Sequence, residues 1–356
     1  MDRKILYIWL SKINGVGPVI SSKLIEFFKR IDFIYEASYD DLIKVDGIGP
    51  KIARTIIESN DLSKSKDIYY SCQKKGIQIV TIECRNYPKQ LRKFKNAPIV
   101  LYVKGNLKEF DNAVCIVGSR RCTEYGKNIT VELAERLSYK NIPIISGMAK
   151  GIDGYSHTVA LHNNNYTIAV LGTGVDICYP SEHLTLMNKI IENGAVISQF
   201  EPGTSNIRSN FIKRNELIAM LSEKIIVVEA SKDSGSLYTA HCGIRYEKDI
   251  YAVPGNINSK FSEGTNILIS EWVKPYLSTN DIVKELQYVD KKEYINDYCD
   301  KHTEMENKIL SIISKKAASI DTIKLNLNLK DKNIEELLFN MELKGEIKQV
   351  GGLFSI

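Results

Sequence analysis

The sequence predicts an α/β fold class, in which a doubly wound, Rossmann-type parallel sheet is flanked by an all-α N-terminal domain and a C-terminal winged helix. Between residues 111 and 275, six short apolar segments alternate with helical patterns, as in a parallel sheet covered on both faces. A repeated glycine turn precedes this region, and three helical patterns with a terminal hairpin pattern follow it.

Composition sets the broad class of the protein. The chain has 356 residues, too many for one ordinary core, so two or three domains are expected. Apolar runs stay shorter than the roughly 18 residues of a membrane-spanning helix, and the N-terminus has no signal-peptide core. We therefore expect a cytoplasmic protein with no membrane partner. Seven cysteines without a CxxC pair predict free thiols in place of a disulfide framework or zinc site.

Charge is distributed unevenly along the chain. Residues 1–110 contain 20 Lys and Arg against 12 Asp and Glu, residues 111–290 contain 17 against 20, and residues 291–356 contain 11 against 11. The N-terminal excess favours a polyanion or an acidic partner, although a lysine-rich solvated surface would give the same count.

The N-terminal domain, residues 1–80, contains a repeat. Ile13–Pro18 (INGVGP) and Val45–Pro50 (VDGIGP) share the pattern apolar-x-Gly-apolar-Gly-Pro, and a helical pattern follows each. The repeat resembles a pair of helix-hairpin-helix motifs, whose tight turns expose backbone N–H groups at a helix N-terminus. Such groups can hold a DNA phosphate, but these hairpins also serve as protein-docking or structural units, and both readings stay open.

Residues 81–110 are a lead-in to the central domain, which is predicted at 111–285. The predicted strands of that domain are Ala113–Val117, Ile142–Ser146, Thr167–Leu171, Ala195–Ser198, Lys224–Glu229 and Ile250–Val253. In a doubly wound sheet, ligands bind at the carboxyl ends of the strands.

Four loops near those strand ends or helix starts form a candidate site. They are Gly118–Arg121 (GSRR), Ser146–Asp153 (SGMAKGID), Phe211–Asn215 (FIKRN, preceding a predicted apolar helix) and Glu229–Ala240. Glycines permit close backbone approach, and helix N-termini favour anions. Positive charge comes from Arg120, Lys150, Lys213 and Arg214. If they converge on one crevice, these loops would hold several phosphates. Phe211 or a nearby tyrosine could stack on a base, and the alternative for Phe211 is a place in the apolar core.

Nucleotide-cofactor motifs fail at this position. A Walker loop has four residues between its first Gly and its Gly-Lys, but seven separate Gly118 from Gly126. A dinucleotide loop needs G-x-G-x-x-G, and the first turn has a single glycine. No cofactor is therefore expected.

Catalytic and metal sites are not predicted either. Ser146, Asp153 and His157 could be imagined as a triad, but no nucleophile elbow accompanies them. The remaining histidines lack metal-ligand spacing. Glu229 could coordinate a cation or act as a base, and a carboxylate bonded to backbone N–H groups of the next turn is the favoured interpretation.

The C-terminal region begins with a polar linker, residues 286–303. Residues 304–356 predict a winged helix, with three helices and a hairpin that turns at Gly351 and Gly352. One buried helix face is marked by Leu337, Leu338, Met341 and Leu343. Because the predicted winged helix carries no net charge, the sequence favours DNA binding no more than protein interaction.

Six motifs in order resemble the bacterial DNA-processing protein A family, DprA, also called Smf. They read IVGSRRCTEYG, ISGMAKGIDGYSH, TIAVLGTGVDICYP, FIKRNELIAMLSEKIIVVEA, SGSLYTAHCGIRYEKDIYAVPG and EGTNILI. The resemblance covers residues from about 80 to 275. It implies flanking domains that are sterile-alpha-motif-like (SAM-like) or hairpin-type at the N-terminus and winged-helix at the C-terminus.

The resemblance implies a function without catalysis. Members bind single-stranded DNA, protect it as it enters the cell, and load RecA recombinase onto it during natural transformation in the cytoplasm. They dimerise through the Rossmann domain. Carried over by position, the implied DNA contacts are Gly118, Ser119, Arg120, Lys213, Arg214 and Asn215. Lys150 falls in the same pocket, and Arg121 is either a second contact or a solvated neighbour.

The sequence departs from the family at three places. Glu216 stands where a second arginine is usual, Gln199 replaces a common glutamate, and the segment after Gly264 lacks the usual Gly-Ala ending. The first departure is expected to weaken the positive pocket, and the last leaves the dimer geometry open.

Two other functions remain as alternatives. The first is a nucleotide phosphoribohydrolase of the lysine-decarboxylase-like group, whose PGGxGTxxE loop supplies a catalytic glutamate. The corresponding SKDSGSLYTA has neither the glycine pair nor that glutamate, which favours a DNA-binding protein. The second is a structural adaptor that docks through its hairpins and winged helix.

Overall fold

The computed structural model describes most of the chain in two compact units, Met1–Tyr288 and Val289–Ile356. The described residues are 2–271, 273–287, 304–314, 316–327, 334, 338, 341, 347–350 and 353–355. No helix within these ranges is both long and apolar enough to cross a membrane. The six cysteines among them have free thiols.

The N-terminal region is all-α, and its repeat forms two equivalent hairpins. The helices are α1 (Arg3–Lys12), α2 (Pro18–Phe28), α3 (Ile31–Tyr35), α4 (Tyr39–Leu42), α5 (Pro50–Glu58) and α6 (Ser63–Lys74). Gly15 and Gly47 have φ values of 79° and 82°, a left-handed conformation that favours glycine. Pro18 and Pro50 begin the helix after each turn, where the missing N–H is not needed. The predicted helix-hairpin-helix pair is confirmed.

A nine-stranded, mostly parallel sheet forms the centre of the first unit. Its strands are β1 (Gln78–Thr81), β2 (Val100–Gly105), β3 (Val114–Val117), β4 (Ile144–Ser146), β5 (Thr167–Val170), β6 (Ala195–Ser198), β7 (Lys224–Val227), β8 (Asp249–Ala252) and β9 (Lys274–Pro275). Their order is β1-β2-β6-β5-β4-β3-β7-β8-β9. All six predicted strands are present, with ends that differ by up to two residues.

The lead-in departs from the prediction of a purely parallel sheet. Strand β2 pairs antiparallel with β6, and β1 pairs antiparallel with β2. No crossover helix is needed for an antiparallel pair, so the chain between β1 and β2 carries only a short 3-10 helix, Leu91–Lys93.

Helices cover both faces of the sheet. They are α7 (Glu124–Tyr139), α8 (Ile152–His162), α9 (Leu184–Asn193), α10 (Arg208–Leu221), α11 (Gly235–Arg245), α12 (Glu263–Ser270) and α13 (Thr279–Gln287). In β3, Val114 and Ile116 join one apolar cluster, which contains Leu133 of α7, whereas Cys115 and Val117 join the cluster on the other face. This two-sided burial explains why the strands read as continuous apolar runs.

The strand order reverses beside β3. Successive connections place β4, β5 and β6 on one side of β3, and the chain then crosses back to place β7 and β8 on the other. The carboxyl ends of β3, β4 and β7 therefore flank a crevice of the kind in which open α/β sheets bind ligands.

The N-terminal helices share a core with the sheet. Tyr7 and Leu10 of α1 belong to the same buried apolar cluster as Tyr102 of β2 and Val196 of β6. Two ion pairs add to this junction, Lys12–Glu201 at 2.7 Å and Lys75–Asp176 at 2.6 Å. The hairpin region is thus attached along the β1-β2-β6 side of the sheet.

Among its described residues, the second unit has two helices with defined bounds and a small antiparallel sheet. Its elements are α14 (Glu304–Ile313), β10 (Ala318–Ser319), α15 (Ile320–Asn326), β11 (Lys348–Val350) and β12 (Leu353–Ser355). The strand order is β10-β12-β11. Leu338 and Met341 are buried, as predicted. The other predicted positions, Leu337, Leu343, Gly351 and Gly352, lie outside the described residues, so the winged helix stays a prediction.

Candidate nucleic-acid interface

The GSRR loop follows β3 and turns sharply. A Cβ on Gly118 would lie 2.7 Å from Ile152 Cγ1 and 3.0 Å from the Glu229 carbonyl oxygen, so only glycine fits there. Ser119 Oγ accepts a hydrogen bond from Arg121 N at 3.2 Å and donates one to Arg121 O at 2.8 Å. Gly118 and Ser119 therefore shape the loop, and the side chains of Arg120 and Arg121 are exposed.

The SGMAKGID loop packs directly against the GSRR loop. Gly151 has a φ of 72°, and a Cβ there would lie 2.3 Å from Ser119 O. The backbone N–H of Ile152 donates to Ser119 O at 3.3 Å. Buried Asp153 accepts from the N–H groups of Gly147 and Ala149, at 3.1 and 3.3 Å. Asp153 thus organises the loop after β4 and faces no solvent.

Arg214 joins α10 to the sheet. Its guanidinium is buried and donates from Nη1 to the carbonyl oxygens of Gly147 and Val170, at 2.5 and 2.7 Å. Burial lowers the pKa of Arg214, the Asp153 carboxylate raises it, and nearby Arg120 lowers it. An arginine still keeps its proton at neutral pH, so two like charges remain close together.

A shallow pocket opens where the first three loops meet. Its lining residues are Arg120, Gly147, Ala149, Lys150, Tyr179, Pro180, Phe211 and Arg214. Within the part of the chain that the structure describes, this lining holds three cations and no carboxylate. The Tyr179 and Phe211 rings are 5.4 Å apart between centroids, and the Arg214 guanidinium lies 5.6 Å from the Phe211 centroid.

The Lys150 side chain already has an acidic partner at the rim of the pocket. Its Nζ lies 2.5 Å from Glu182 Oε1, and both side chains are more than half exposed. Ion pairs this exposed are weak, because water screens both charges. Lys150 can therefore exchange Glu182 for a phosphate at low cost.

The remaining predicted residues lie on α10 outside the pocket lining. Lys213 is exposed, and the FIKRN motif lies inside this helix, not before it as expected. Asn215 donates to Gly235 O at 3.1 Å and accepts from Arg214 Nε at 2.9 Å, so it supports the arginine. Glu216 accepts from Tyr238 at 3.0 Å and pairs with Arg245 at 3.4 Å, which directs its charge toward α11.

Tyr179 and Pro180 were missed as site residues. They end the loop after β5, so the same strand-end rule that selected the other loops applies to them. The loop carries no cation, and for that reason charge alone did not single it out.

The Glu229 carboxylate accepts a hydrogen bond from a backbone N–H, as the favoured interpretation predicted. The donor is Thr123, at the end of the GSRR loop, and not a residue of the turn that follows Glu229. Glu229 Oε2 accepts from Thr123 N at 2.9 Å, and Glu229 Oε1 accepts from Thr123 Oγ1 at 2.5 Å. Thr123 is the N-cap of α7. The helix start after the GSRR loop, expected to favour an external anion, thus already holds an internal one.

The side chains of the imagined triad have structural partners. Thr167 Oγ1 donates to Ile144 O, so it accepts from His157 Nδ1, at 2.7 Å. Burial lowers the pKa of His157 to about 3, and the ring is neutral at physiological pH. Ser146 Oγ donates to Ile116 O at 2.6 Å. Among the described residues, no cluster of three or more His, Cys, Asp or Glu side chains could hold a metal ion.

Comparison with known proteins gives consistent matches. The family model described as DNA recombination-mediator protein A matches residues 78–287, and a helix-hairpin-helix motif model matches residues 9–65. Protein Smf of Synechocystis is 32% identical over 285 residues, covering 78% of this chain and 72% of the relative. DNA processing protein DprA of Streptococcus pneumoniae is 37% identical over 204 residues, covering 57% and 72%.

Two solved structures are also similar. The X-ray structure of DprA from Streptococcus pneumoniae has a TM-score of 0.69 at 31% identity, covering 79% of this chain and 97% of that one. DprA from Helicobacter pylori, whose structure addresses its single-stranded DNA binding mode, has a TM-score of 0.55 at 30% identity, covering 60% and 97%.

Proposed function

The chain belongs to the DNA recombination-mediator protein A family, and from that premise we propose that it mediates recombination by binding single-stranded DNA. The single observation that carries the proposal is the pocket. Arg120, Lys150 and Arg214 surround it, the described lining residues include no carboxylate, and two aromatic rings lie beside these cations.

Phosphate binding follows from the charge arrangement. Arg120 is exposed and close enough to buried Arg214 to lower the pKa of that residue, so a phosphate between them would relieve the repulsion. The planar guanidinium of Arg120 can hold a phosphate through two parallel hydrogen bonds. Contacts of this kind release counterions and read no sequence, which suits a general DNA-binding protein.

The aromatic pair supports a preference for single strands. Tyr179 is about one-third exposed, and its ring approaches Phe211 at the pocket. Unpaired bases can stack on such rings, whereas a duplex keeps the faces of its bases covered.

We propose eight residues as the DNA-binding set, with two kinds of role. Arg120, Lys150 and Lys213 contact phosphates, and Arg121 is a second contact of the GSRR loop. Gly118, Ser119, Arg214 and Asn215 shape the pocket through the contacts described above.

The finer parts of the proposal follow the family. We infer a cytoplasmic, non-enzymatic protein that dimerises through a doubly wound Rossmann-type domain, protects incoming DNA and loads RecA during natural transformation. We also propose the domain boundaries that the sequence predicts, a SAM-like relationship for the N-terminal domain, and a winged-helix fold for the C-terminal domain. Support for a protein contact comes from apolar side chains exposed near β8 and β9, namely Ile257, Phe261, Ile267 and Leu277.

The test is a binding titration over a salt series. Fluorescence anisotropy with a single-stranded and a matched double-stranded oligonucleotide should show tighter binding to the single strand. Arg120→Ala and Lys213→Ala should each weaken binding, by about tenfold and less than tenfold respectively, and reduce the salt slope by about one. Lys189→Ala, an exposed lysine of α9 outside the pocket, is the matched control. Equal affinity of all four proteins would refute the site.

A further inference from the structure

The buried Glu229 carboxylate occupies the N-terminus of α7, and the mechanism of DNA binding above does not use it. The residue is 2% exposed. Both of its carboxylate oxygens accept hydrogen bonds from Thr123, one from the backbone N–H and one from the hydroxyl. The Thr123 hydroxyl in turn accepts from Gly126 N at 3.3 Å. The carboxyl group is therefore hydrogen-bonded, through Thr123, to the positive end of a 16-residue helix.

Gly126 makes room for this carboxylate. A Cβ at that position would lie 2.4 Å from Glu229 Cδ and 2.5 Å from its Oε2. Any larger residue would displace the carboxylate from Thr123. Glycine at 126 and glutamate at 229 therefore act as two halves of one arrangement, although they lie 103 residues apart in the sequence.

The GSRR loop is held at both ends, and Glu229 forms the second anchor. At the first, Gly118 is wedged against Ile152, and Ser119 O accepts from Ile152 N. At the second, Thr123 is bonded to the Glu229 carboxylate. Arg120 lies between these anchors, so its direction depends on both.

We infer that Glu229 is a positioning residue for DNA binding: it fixes the end of the GSRR loop so that Arg120 faces the pocket. The inference rests on the proposed function, because Arg120 must contact DNA for its position to matter. Among the described residues, Glu229 is absent from the pocket lining and is hydrogen-bonded to the end of this loop.

A double-mutant cycle separates positioning from contact. Affinity and salt slope for a single-stranded oligonucleotide are measured for the full chain and for Arg120→Ala, Glu229→Ala, Glu229→Gln and the double variant Arg120→Ala/Glu229→Ala. Glu229→Ala should weaken binding by about three- to tenfold and lower the salt slope by up to one. Glu229→Gln keeps an acceptor for Thr123 and should restore most of the affinity. The double variant should bind no more weakly than Arg120→Ala, because both changes remove the same contact.

The outcomes distinguish an incorrect DNA site from an incorrect positioning role for Glu229. If Arg120→Ala itself has no effect, the proposed DNA site is wrong. If Arg120→Ala weakens binding and Glu229→Ala does not, or if their losses simply add, the positioning role is wrong. Thermal melting checks folding, and Thr123→Val serves if Glu229→Ala does not fold. Thr123→Val removes the two hydroxyl hydrogen bonds, to Glu229 and from Gly126 N, and keeps the backbone bond to Glu229, so it should give a smaller loss of the same kind. Wild-type affinity and slope in this variant would also overturn the inference.

Discussion

Two places at the carboxyl ends of the strands attract anions, and they differ in whether the protein supplies the anion itself. At the start of α7, the Glu229 carboxylate is bonded to Thr123 and is shielded from solvent. At the pocket between the GSRR loop, the SGMAKGID loop and α10, three cations line the surface with no carboxylate among the described lining residues. At the first place the protein supplies its own carboxylate to the positive helix end. At the second place the cations line an open pocket that can receive an external anion.

The difference shows that a strand end followed by a helix N-terminus does not by itself define a phosphate site. What matters is which charges remain unpaired after the chain has folded. Here Arg120, for which the described residues supply no ion-pair partner, lies in the same β3–α7 loop that a dinucleotide-binding protein uses for its phosphates, three positions before Thr123. The following four predictions test this contrast.

The largest effect is expected for the buried cation. Arg214→Ala leaves the Gly147 and Val170 carbonyls without their donor and Asp153 without a nearby positive charge. Removing one partner of such a buried arrangement costs about 3–5 kcal/mol in the free energy of unfolding. Urea unfolding followed by circular dichroism measures this. Arg121→Ala, an exposed arginine, is the control, and an equal, small loss in both would remove the distinction between buried and open cations.

Acid should destabilise the interior beneath the pocket through His157. Burial lowers its folded-state pKa to about 3, below the ordinary histidine value of 6.5 that applies to the unfolded chain. The unfolded state therefore binds more protons between these values, so stability is lost as pH falls from 6.5 toward 3. The slope is about 1.4 kcal/mol per pH unit from this group well within the window. Unfolding free energies at pH 7, 6 and 5 should show a shallower loss in His157→Gln, and an unchanged slope would contradict the assignment.

Stacking should contribute to the pocket independently of charge. Tyr179→Ala removes one ring of the aromatic pair and should weaken single-stranded DNA binding by about tenfold, as for one base stacked on an aromatic side chain. The salt slope should stay unchanged, since no ion is released. Tyr139→Ala, an exposed tyrosine outside the pocket, provides the comparison. A reduced slope would mean that Tyr179 acts by placing a cation.

The smallest effect should be a gain in affinity. Glu182 pairs with Lys150 at the rim, so it competes with an incoming phosphate. Glu182→Gln should tighten single-stranded DNA binding by about two- to threefold at low salt, with the gain disappearing at high salt because screening weakens the original pair. Glu192→Gln, exposed on α9, changes net charge equally and should not reproduce the gain.

Local patterns in the sequence were sufficient for the strands and the glycine turns. Continuous apolar runs predicted six strands, and Gly15 and Gly47 were placed in turns, because both signals depend only on neighbouring residues. Position at a strand end was also sufficient to bring Arg120 and Lys150 to one pocket.

Partners distant in sequence could not be read in the same way. The bond between Thr123 and Glu229 joins positions 106 residues apart, and nothing near either residue signals the other. Exposed Lys213 and buried Arg214 are adjacent and alike in charge, and only their orientations on α10 separate them. The antiparallel β2 escaped prediction because strand direction depends on which neighbour it meets.

Through the shared apolar core, the N-terminal helices support the loops that form the pocket. Met148, in the loop after β4, and Val175, in the loop after β5, belong to the same cluster as Tyr7 and Leu10 of α1. Removing the N-terminal helices would expose part of this apolar cluster to water and weaken the packing beneath both loops. A chain that lost or exchanged its hairpins during evolution would have had to replace the apolar side chains of this surface with polar ones at the same time.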